Sequence, residues 1–168
     1  MRCNRYERAL MDPLSARMLR ASLVWLLCGV AIGGAMLLDR ALPGNWVLWL
    51  APSHAHMLFV GWFLQFALGV AYWLLPRKRT PQRPLGYHER LAFTAVIALN
   101  LGLFLRVMAE PIERTGSGSS LTLAMLALSA ILQVGAVVIV VSQIWPRVAA
   151  RTGREAGGGS RKTEVERR

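Results

Sequence analysis

The chain has 168 residues, 54% of them hydrophobic, and a formal net charge of +11. A soluble domain spreads its charged residues along the chain, whereas here long uncharged segments alternate with Arg-rich clusters. This pattern argues against a soluble enzyme domain and is typical of a small multi-pass protein of the lipid bilayer. The basic residues flank the apolar segments and no nucleic-acid-binding motif lies between them, so we expect no nucleic acid partner.

Four apolar segments are long enough to cross a bilayer as helices. In chain order they are 17–42, 52–75, 87–109 and 121–145. They predict an all-α membrane protein whose transmembrane domain, 17–145, is a four-helix bundle. Residues 1–16 are predicted to form an N-terminal arm, and residues 146–168 a basic, disordered tail because they are polar and glycine-rich.

The first two spans carry the clearest boundary and packing signals. The first lacks a clear signal-peptide cleavage site, which favours a retained signal-anchor helix. Gly29, Gly33 and Gly34 give it a face of small residues that permits close helix packing. Pro52 is a suitable first residue for the second span, and Pro76 is expected to end it.

The basic residues are distributed asymmetrically between the two sides of the predicted bundle. Seventeen of the twenty Lys and Arg residues lie in the N-terminal arm, the connection between the second and third spans, and the tail, including the adjoining ends of the spans. Positively charged segments stay on the cytoplasmic side of a membrane. We therefore expect both termini in the cytoplasm of a bacterial-type inner membrane.

Two of the three histidines, His54 and His56, lie where the second span begins, at the non-cytoplasmic side. Imidazole is costly in lipid and is a good ligand for transition metals. At about 100° per residue, the helix turns these two side chains to different faces. The His54 face also carries Leu58, Gly61, Gln65, Leu68, Gly69 and Tyr72, and the His56 face carries Val60, Phe63, Ala67, Val70 and Leu74.

Because the small and polar face should turn toward other helices, His54 is expected to be the better inward ligand. We expect Gly61, Gln65 and Tyr72 to lie beneath it in the same site. His54 has a structural alternative, a hydrogen bond to another helix. His56 has one too, since its ring can extend toward the lipid headgroups.

A cation and a carboxylate are predicted at the same level of the membrane as His54. The third span runs antiparallel to the second, which places Arg106 and Glu110 there. Arg106 either forms an ion pair with Glu110 or neutralises an anionic ligand group such as a haem propionate. His88 begins the third span at the opposite side and is expected to be solvated.

The segment from His54 to Trp62, followed by Gly69, Tyr72 and Pro76, resembles the second transmembrane helix of subunit I of haem-copper oxidases and nitric oxide reductases. It is also similar to the His-Ala-His opening of the NnrS family of haem- and copper-containing membrane proteins. In the oxidase family a histidine at the outer end of this helix ligates a low-spin haem. The resemblance implies a haem ligand at His54 or His56, while the family's copper site and second haem-ligating helix have no counterpart here.

The sequence thus favours a membrane protein that binds b-type haem through His54 or His56, with Arg106 beside a propionate, for electron transfer or diatomic gas handling. The second axial ligand would come from a homodimer, a partner subunit or Met57, and otherwise the iron would be five-coordinate. The alternative is a non-catalytic accessory or assembly protein of a respiratory complex that binds copper through His54, His56 and Met57. The sequence shows no recognisable nucleophile, paired carboxylates or phosphate-binding loop, so it does not indicate a complete catalytic centre.

Overall fold

The computed structural model describes residues 11–41, 46–76, 81 and 83–165, with side chains described through residue 148 apart from residues 40 and 46. Within these ranges the chain forms four helices that are long and apolar enough to cross a membrane, and no β-strand. The predicted all-α four-helix bundle is confirmed. Most of the predicted N-terminal arm, residues 1–10, lies outside the described residues.

The first helix spans Pro13–Leu37 and continues as a short 3-10 turn, Leu38–Arg40. It begins before the predicted residue 17 because Asp12 and Pro13 provide a starting signal. The Asp12 carboxylate accepts a hydrogen bond from the backbone N–H of Leu14, and Pro13 has no N–H that needs a partner. The predicted break at residues 43–45 lies outside the described residues.

The second helix has three consecutive parts, an α-helix Trp46–His56, a π-helix Met57–Leu64 and an α-helix Gln65–Leu74. It begins before Pro52, which lies inside the first part. Proline in the interior of a helix removes one backbone hydrogen bond and crowds the carbonyl group one turn earlier, and in transmembrane helices packing against neighbouring helices offsets this loss. The helix ends at Leu74, as the proline signal predicts, since Leu75 is extended ahead of Pro76.

The third helix, Glu89–Arg114, includes Pro111 and therefore runs past the predicted end at residue 109. The fourth helix, Ser120–Val165, likewise continues through Pro146 into the segment that we expected to be a disordered tail. Ala, Arg and Glu are good helix formers and are frequent between Pro146 and the glycine run at 157–159.

The first helix packs against the second, the second against the third, and the third against the fourth. One buried cluster fills the end of the bundle where Asp12, Tyr72, Tyr87 and Arg147 lie, and we call this the Asp12 end. A smaller cluster of Met57, Leu103 and Val107 lies toward the opposite end, which we call the His54 end. The cluster at the Asp12 end contains residues of all four helices, whereas the cluster at the His54 end consists of residues of the second and third helices, with Trp25 and Ile32 of the first packed against it.

Large apolar side chains cover the outside of the bundle. Leu27 and Phe59 are each 71% exposed, and Leu37 is 76% exposed. A continuous apolar exterior of this kind is unfavourable in water and suits contact with lipid tails. The fold thus supports association with a bilayer, in agreement with the sequence.

Candidate functional site

The His54 ring lies between the second and first helices. Its Nδ1 is 2.8 Å from the backbone carbonyl oxygen of Gly29. A carbonyl oxygen can only accept, so Nδ1 carries the proton and donates it to Gly29. The other ring nitrogen, Nε2, then holds the lone pair that can bind a metal. The hydrogen bond to a neighbouring helix is therefore present, and in the neutral ring it leaves Nε2 as the nitrogen with the lone pair.

Glycines on the first helix form the surface against which His54 packs. A Cβ atom at Gly33 would lie 2.7 Å from Cε1 of His54, which is far below a normal contact distance. A Cβ atom at Gly34, by contrast, would meet nothing within 4 Å. The predicted small face therefore packs closely through Gly29 and Gly33, and Gly34 lies outside the contact.

The segment that follows the histidines is an unusual stretch of backbone. Most π-helical segments are single turns inserted in α-helices, often at functional sites, whereas Met57–Leu64 contains eight residues. Met57, Gly61 and Gln65, spaced four residues apart, are all buried along this side of the helix. Met57 also lies next to the Gly29 contact, since its Cβ atom is 3.4 Å from the Cβ position of Gly29.

His56 is held differently from His54. Its Nδ1 is 2.9 Å from the carbonyl oxygen of Pro52, one turn earlier in the same helix. This bond also leaves Nε2 with the lone pair. Because one ring is bonded to the first helix and the other to its own helix, the two nitrogens are not arranged around one point. Neighbouring Phe59 and Phe63 are exposed, which places the His56 side of the helix toward the exterior.

Arg106 and Glu110 form the predicted ion pair, with 3.1 Å between Nε and Oε2. The two side chains are 28% and 12% exposed. Their level in the bundle follows from the packing of the second and third helices. A Cβ at Gly61 would meet Leu103, and Met57 packs with Leu103 and Val107, so Glu110 comes opposite the turn that contains His54.

Ser53 adds a buried hydroxyl at this level. It is fully buried, and its Oγ atom has no hydrogen-bond partner among the described residues. A buried hydroxyl without a partner is unfavourable, above all in an apolar interface. Ser53 is not among the site residues predicted from the sequence. Its place directly before His54 is the signal that could have drawn attention to it.

The three other predicted site residues lie apart from His54. A Cβ at Gly61 would be 2.6 Å from Trp25, so protein side chains occupy the space over this residue. The amide of Gln65 donates to the Met18 carbonyl oxygen at 3.3 Å. Tyr72 lies at the Asp12 end, roughly 25 Å from His54 by the helical rise per residue. The face assignment agrees with their burial, but the structure does not gather them around the His54 ring.

Tyr72 belongs to a polar cluster at the Asp12 end. Its ring packs edge-to-face with Tyr87, at 5.2 Å between centroids, and the Tyr87 hydroxyl donates to the Asp12 carboxylate. Arg147 donates to the carbonyl oxygens of Tyr72, Leu75 and Pro76 at the end of the second helix. This cluster joins the start of the first helix, the end of the second helix, the connection before the third helix and the fourth helix. His88, beside it in sequence, is exposed as expected.

The candidate ligands therefore form a sparse set. Among the described residues, no group of three or more His, Cys, Asp or Glu side chains converges on one point. An all-protein site for a small metal ion is not built by these four residue types within this part of the chain. A cofactor that brings most of its own ligands needs only one or two from the protein.

No protein-family model, curated protein or solved structure matches the chain.

Proposed function

We propose that the chain is a multi-pass inner-membrane protein, with both termini in the cytoplasm, that binds b-type haem through His54. The observation that carries this proposal is the hydrogen bond from His54 Nδ1 to the Gly29 carbonyl. A metal-bound histidine characteristically uses one ring nitrogen for the metal and donates the other N–H to a carbonyl or carboxylate. His54 already has this arrangement within the bundle, with Nε2 left as the ligand atom.

The residues around His54 suit an imidazole ligand in other respects. The Gly29 carbonyl restricts rotation of the ring and increases the basicity of Nε2. The absence of a Cβ at Gly33 lets the ring lie against the first helix. Bound haem supplies a one-electron redox centre, or a binding position for a diatomic gas where one axial site is open.

Arg106 is the candidate partner for a haem propionate. It lies on the third helix at the level of His54 and, within the described residues, pairs with the carboxylate of Glu110. A propionate is a second carboxylate of the same charge, so it can share or replace Glu110 in contact with the guanidinium. In this proposal Glu110 keeps Arg106 neutralised within the membrane when the propionate is not bound.

His56 of the same chain would not bind the same haem as His54, because the hydrogen bonds of the two rings direct them to different neighbours. We infer that any second protein ligand would come from a homodimer or a respiratory-complex subunit. His56, near the exterior of the bundle, is the residue of this chain that such a partner can approach.

Haem content of the purified protein tests this proposal. The protein is expressed in haem-replete cells, purified in mild detergent, and examined by absorption spectroscopy and the pyridine haemochrome assay. We expect a Soret band and a b-type haemochrome spectrum. His54→Ala should lose most of the haem, and His56→Ala should lose less. Equal haem retention by the two variants would contradict the assignment of His54.

The Arg106 assignment has a matched pair of variants. Arg106→Gln removes the cation, and Glu110→Gln removes its present partner while leaving the guanidinium available. If Arg106 contacts a propionate, the first variant should weaken haem binding by about tenfold, whereas the second should preserve or strengthen it. A parallel loss in both variants would instead indicate that only the ion pair matters, for stability.

A copper-binding accessory role is the second candidate, and the position of Met57 favours it. Met57 lies three residues after His54, and both residues abut Gly29 on the first helix. Imidazole and thioether ligands together suit Cu(I). The test is metal analysis and Cu(I) competition on haem-free protein. Met57→Leu should weaken Cu(I) binding in this case and should leave haem binding unchanged if the first proposal holds.

A further inference from the structure

Buried polar groups recur along the interface between the first and second helices, in the half nearer the Asp12 end. Ser15, Ser22 and Gln65 are each 0% exposed although the surrounding bundle is apolar. Ser22 satisfies its hydroxyl by donating to the Leu19 carbonyl oxygen at 2.8 Å. Ser15 and Gln65 are different, since each keeps a polar atom without a hydrogen-bond partner among the described residues.

The unpartnered atom of Gln65 can be assigned from its neighbour. Its amide contacts the Met18 carbonyl oxygen at 3.3 Å, and a carbonyl only accepts. The NH₂ group must therefore face Met18, which leaves Oε1 as the acceptor without a partner. On the facing helix, the Ser15 hydroxyl is a donor without a partner, so the two groups are chemically complementary.

These groups are also close in the packing. Ser15 precedes Met18 by three residues and thus lies one turn away on the same face of the first helix. Gly69, one turn after Gln65, brings the helices together there. A Cβ at Gly69 would be 3.0 Å from Met18 Cβ and 3.5 Å from the Ser15 carbonyl oxygen. Ser15 and Gln65 hence flank one close helix–helix contact.

We propose that Ser15 and Gln65 bind a water molecule between the first and second helices. The Ser15 hydroxyl and Gln65 Oε1 supply a donor and an acceptor, which is the minimum set that an internal water requires. Both residues are fully buried within the protein, so water is the small molecule that can reach and satisfy both atoms. The site is separate from His54 and does not depend on haem binding.

Water-edited solid-state NMR on isotopically labelled protein in lipid bilayers tests the proposal directly. The experiment measures magnetisation transfer from water to individual side-chain amides. Asn100 is the matched control, because the packing of Gly61 on Leu103 places it at nearly the same depth as Gln65. Both of its amide atoms have protein partners, with Trp25 Nε1 donating to Oδ1 and Nδ2 donating to the Val96 carbonyl oxygen, each at 2.8 Å.

Transfer to the Gln65 amide should be at least threefold faster than transfer to Asn100. Ser15→Ala should bring the Gln65 rate down to the Asn100 rate, whereas Ser22→Ala should leave it unchanged because Ser22 bonds within its own helix. Equal rates for Gln65 and Asn100 in the wild-type protein would overturn the proposal. A fast Gln65 rate that survives Ser15→Ala would also overturn it, since the water would then not be held by Ser15.

Discussion

Replacing Gly33 by alanine should displace the His54 ring from the first helix. The added methyl group would lie 2.7 Å from Cε1 of His54, whereas carbon atoms in contact are normally about 3.5–4.0 Å apart. The ring or the helix must therefore move by about 1 Å. A shift of that size lengthens the 2.8 Å contact between Nδ1 and the Gly29 carbonyl beyond hydrogen-bonding distance.

The free energy of unfolding should fall by about 1–3 kcal/mol in Gly33→Ala. Loss of the hydrogen bond contributes about 1 kcal/mol and the steric overlap a further 1–3 kcal/mol. The higher helix propensity of alanine offsets about 1 kcal/mol of this loss. Gly34→Ala receives the same propensity gain without the overlap, since nothing lies within 4 Å of its Cβ position. It should therefore be neutral or more stable than wild type.

Reversible unfolding by SDS in mixed micelles, followed by far-ultraviolet circular dichroism, measures both variants. Each substitution adds one methyl group to a neighbouring position of the same helix, so the two variants differ only in what the new methyl group contacts. Gly33→Ala should unfold at a lower SDS fraction than Gly34→Ala, with a difference of about 2–4 kcal/mol between them. Equal stability of the two variants would refute the described packing of His54.

Other polar contacts lead to three further predictions. Asn100→Leu leaves the Trp25 indole N–H without its acceptor and should reduce the free energy of unfolding by about 1–2 kcal/mol in the same SDS assay. Thr94→Ala is the control and should have no effect, because the Thr94 hydroxyl is exposed and bonds within its own helix. Tyr87→Phe removes the donor to the Asp12 carboxylate and should cost about 1–3 kcal/mol, detected as a lower Tm. Arg147→Met removes the guanidinium that donates to the carbonyl oxygens of Tyr72 and Leu75 at the end of the second helix. Amide hydrogen exchange should therefore become faster in the last turn before Leu75, and unchanged exchange there would show that Arg147 does not cap this helix.

The helices and their inward faces are predictable because hydropathy and residue size are periodic along the chain. Gly61, Gln65 and Gly69 are buried on the face that the sequence assigns to the interior. The ends of the helices are less predictable. Pro52, Pro111 and Pro146 all lie inside helices, since packing against neighbouring helices outweighs the loss of one hydrogen bond at each proline.

The candidate site is only partly predictable, because its chemistry depends on contacts between helices. The sequence indicates that His54 faces inward and that Gly29 and Gly33 allow close packing. It does not indicate that the His54 ring contacts these two glycines. This contact depends on the register of the two helices and on the π-helical segment after His56. A wholly apolar sequence carries no pattern that predicts a π-helix. The ion pair of Arg106 was foreseeable because Glu110 lies one turn away in the same helix.

The most direct test of His54 as a haem ligand is chemical rescue of His54→Gly by imidazole. The substitution removes the ring and leaves a space beside Gly33 on the first helix. The account predicts that His54→Gly binds little b-type haem and that added imidazole restores the wild-type Soret band. N-methylated imidazole, which has no N–H to donate to the Gly29 carbonyl, should restore it less well. Full haem content in His54→Gly without imidazole, or no haem in the wild-type protein, would contradict the account.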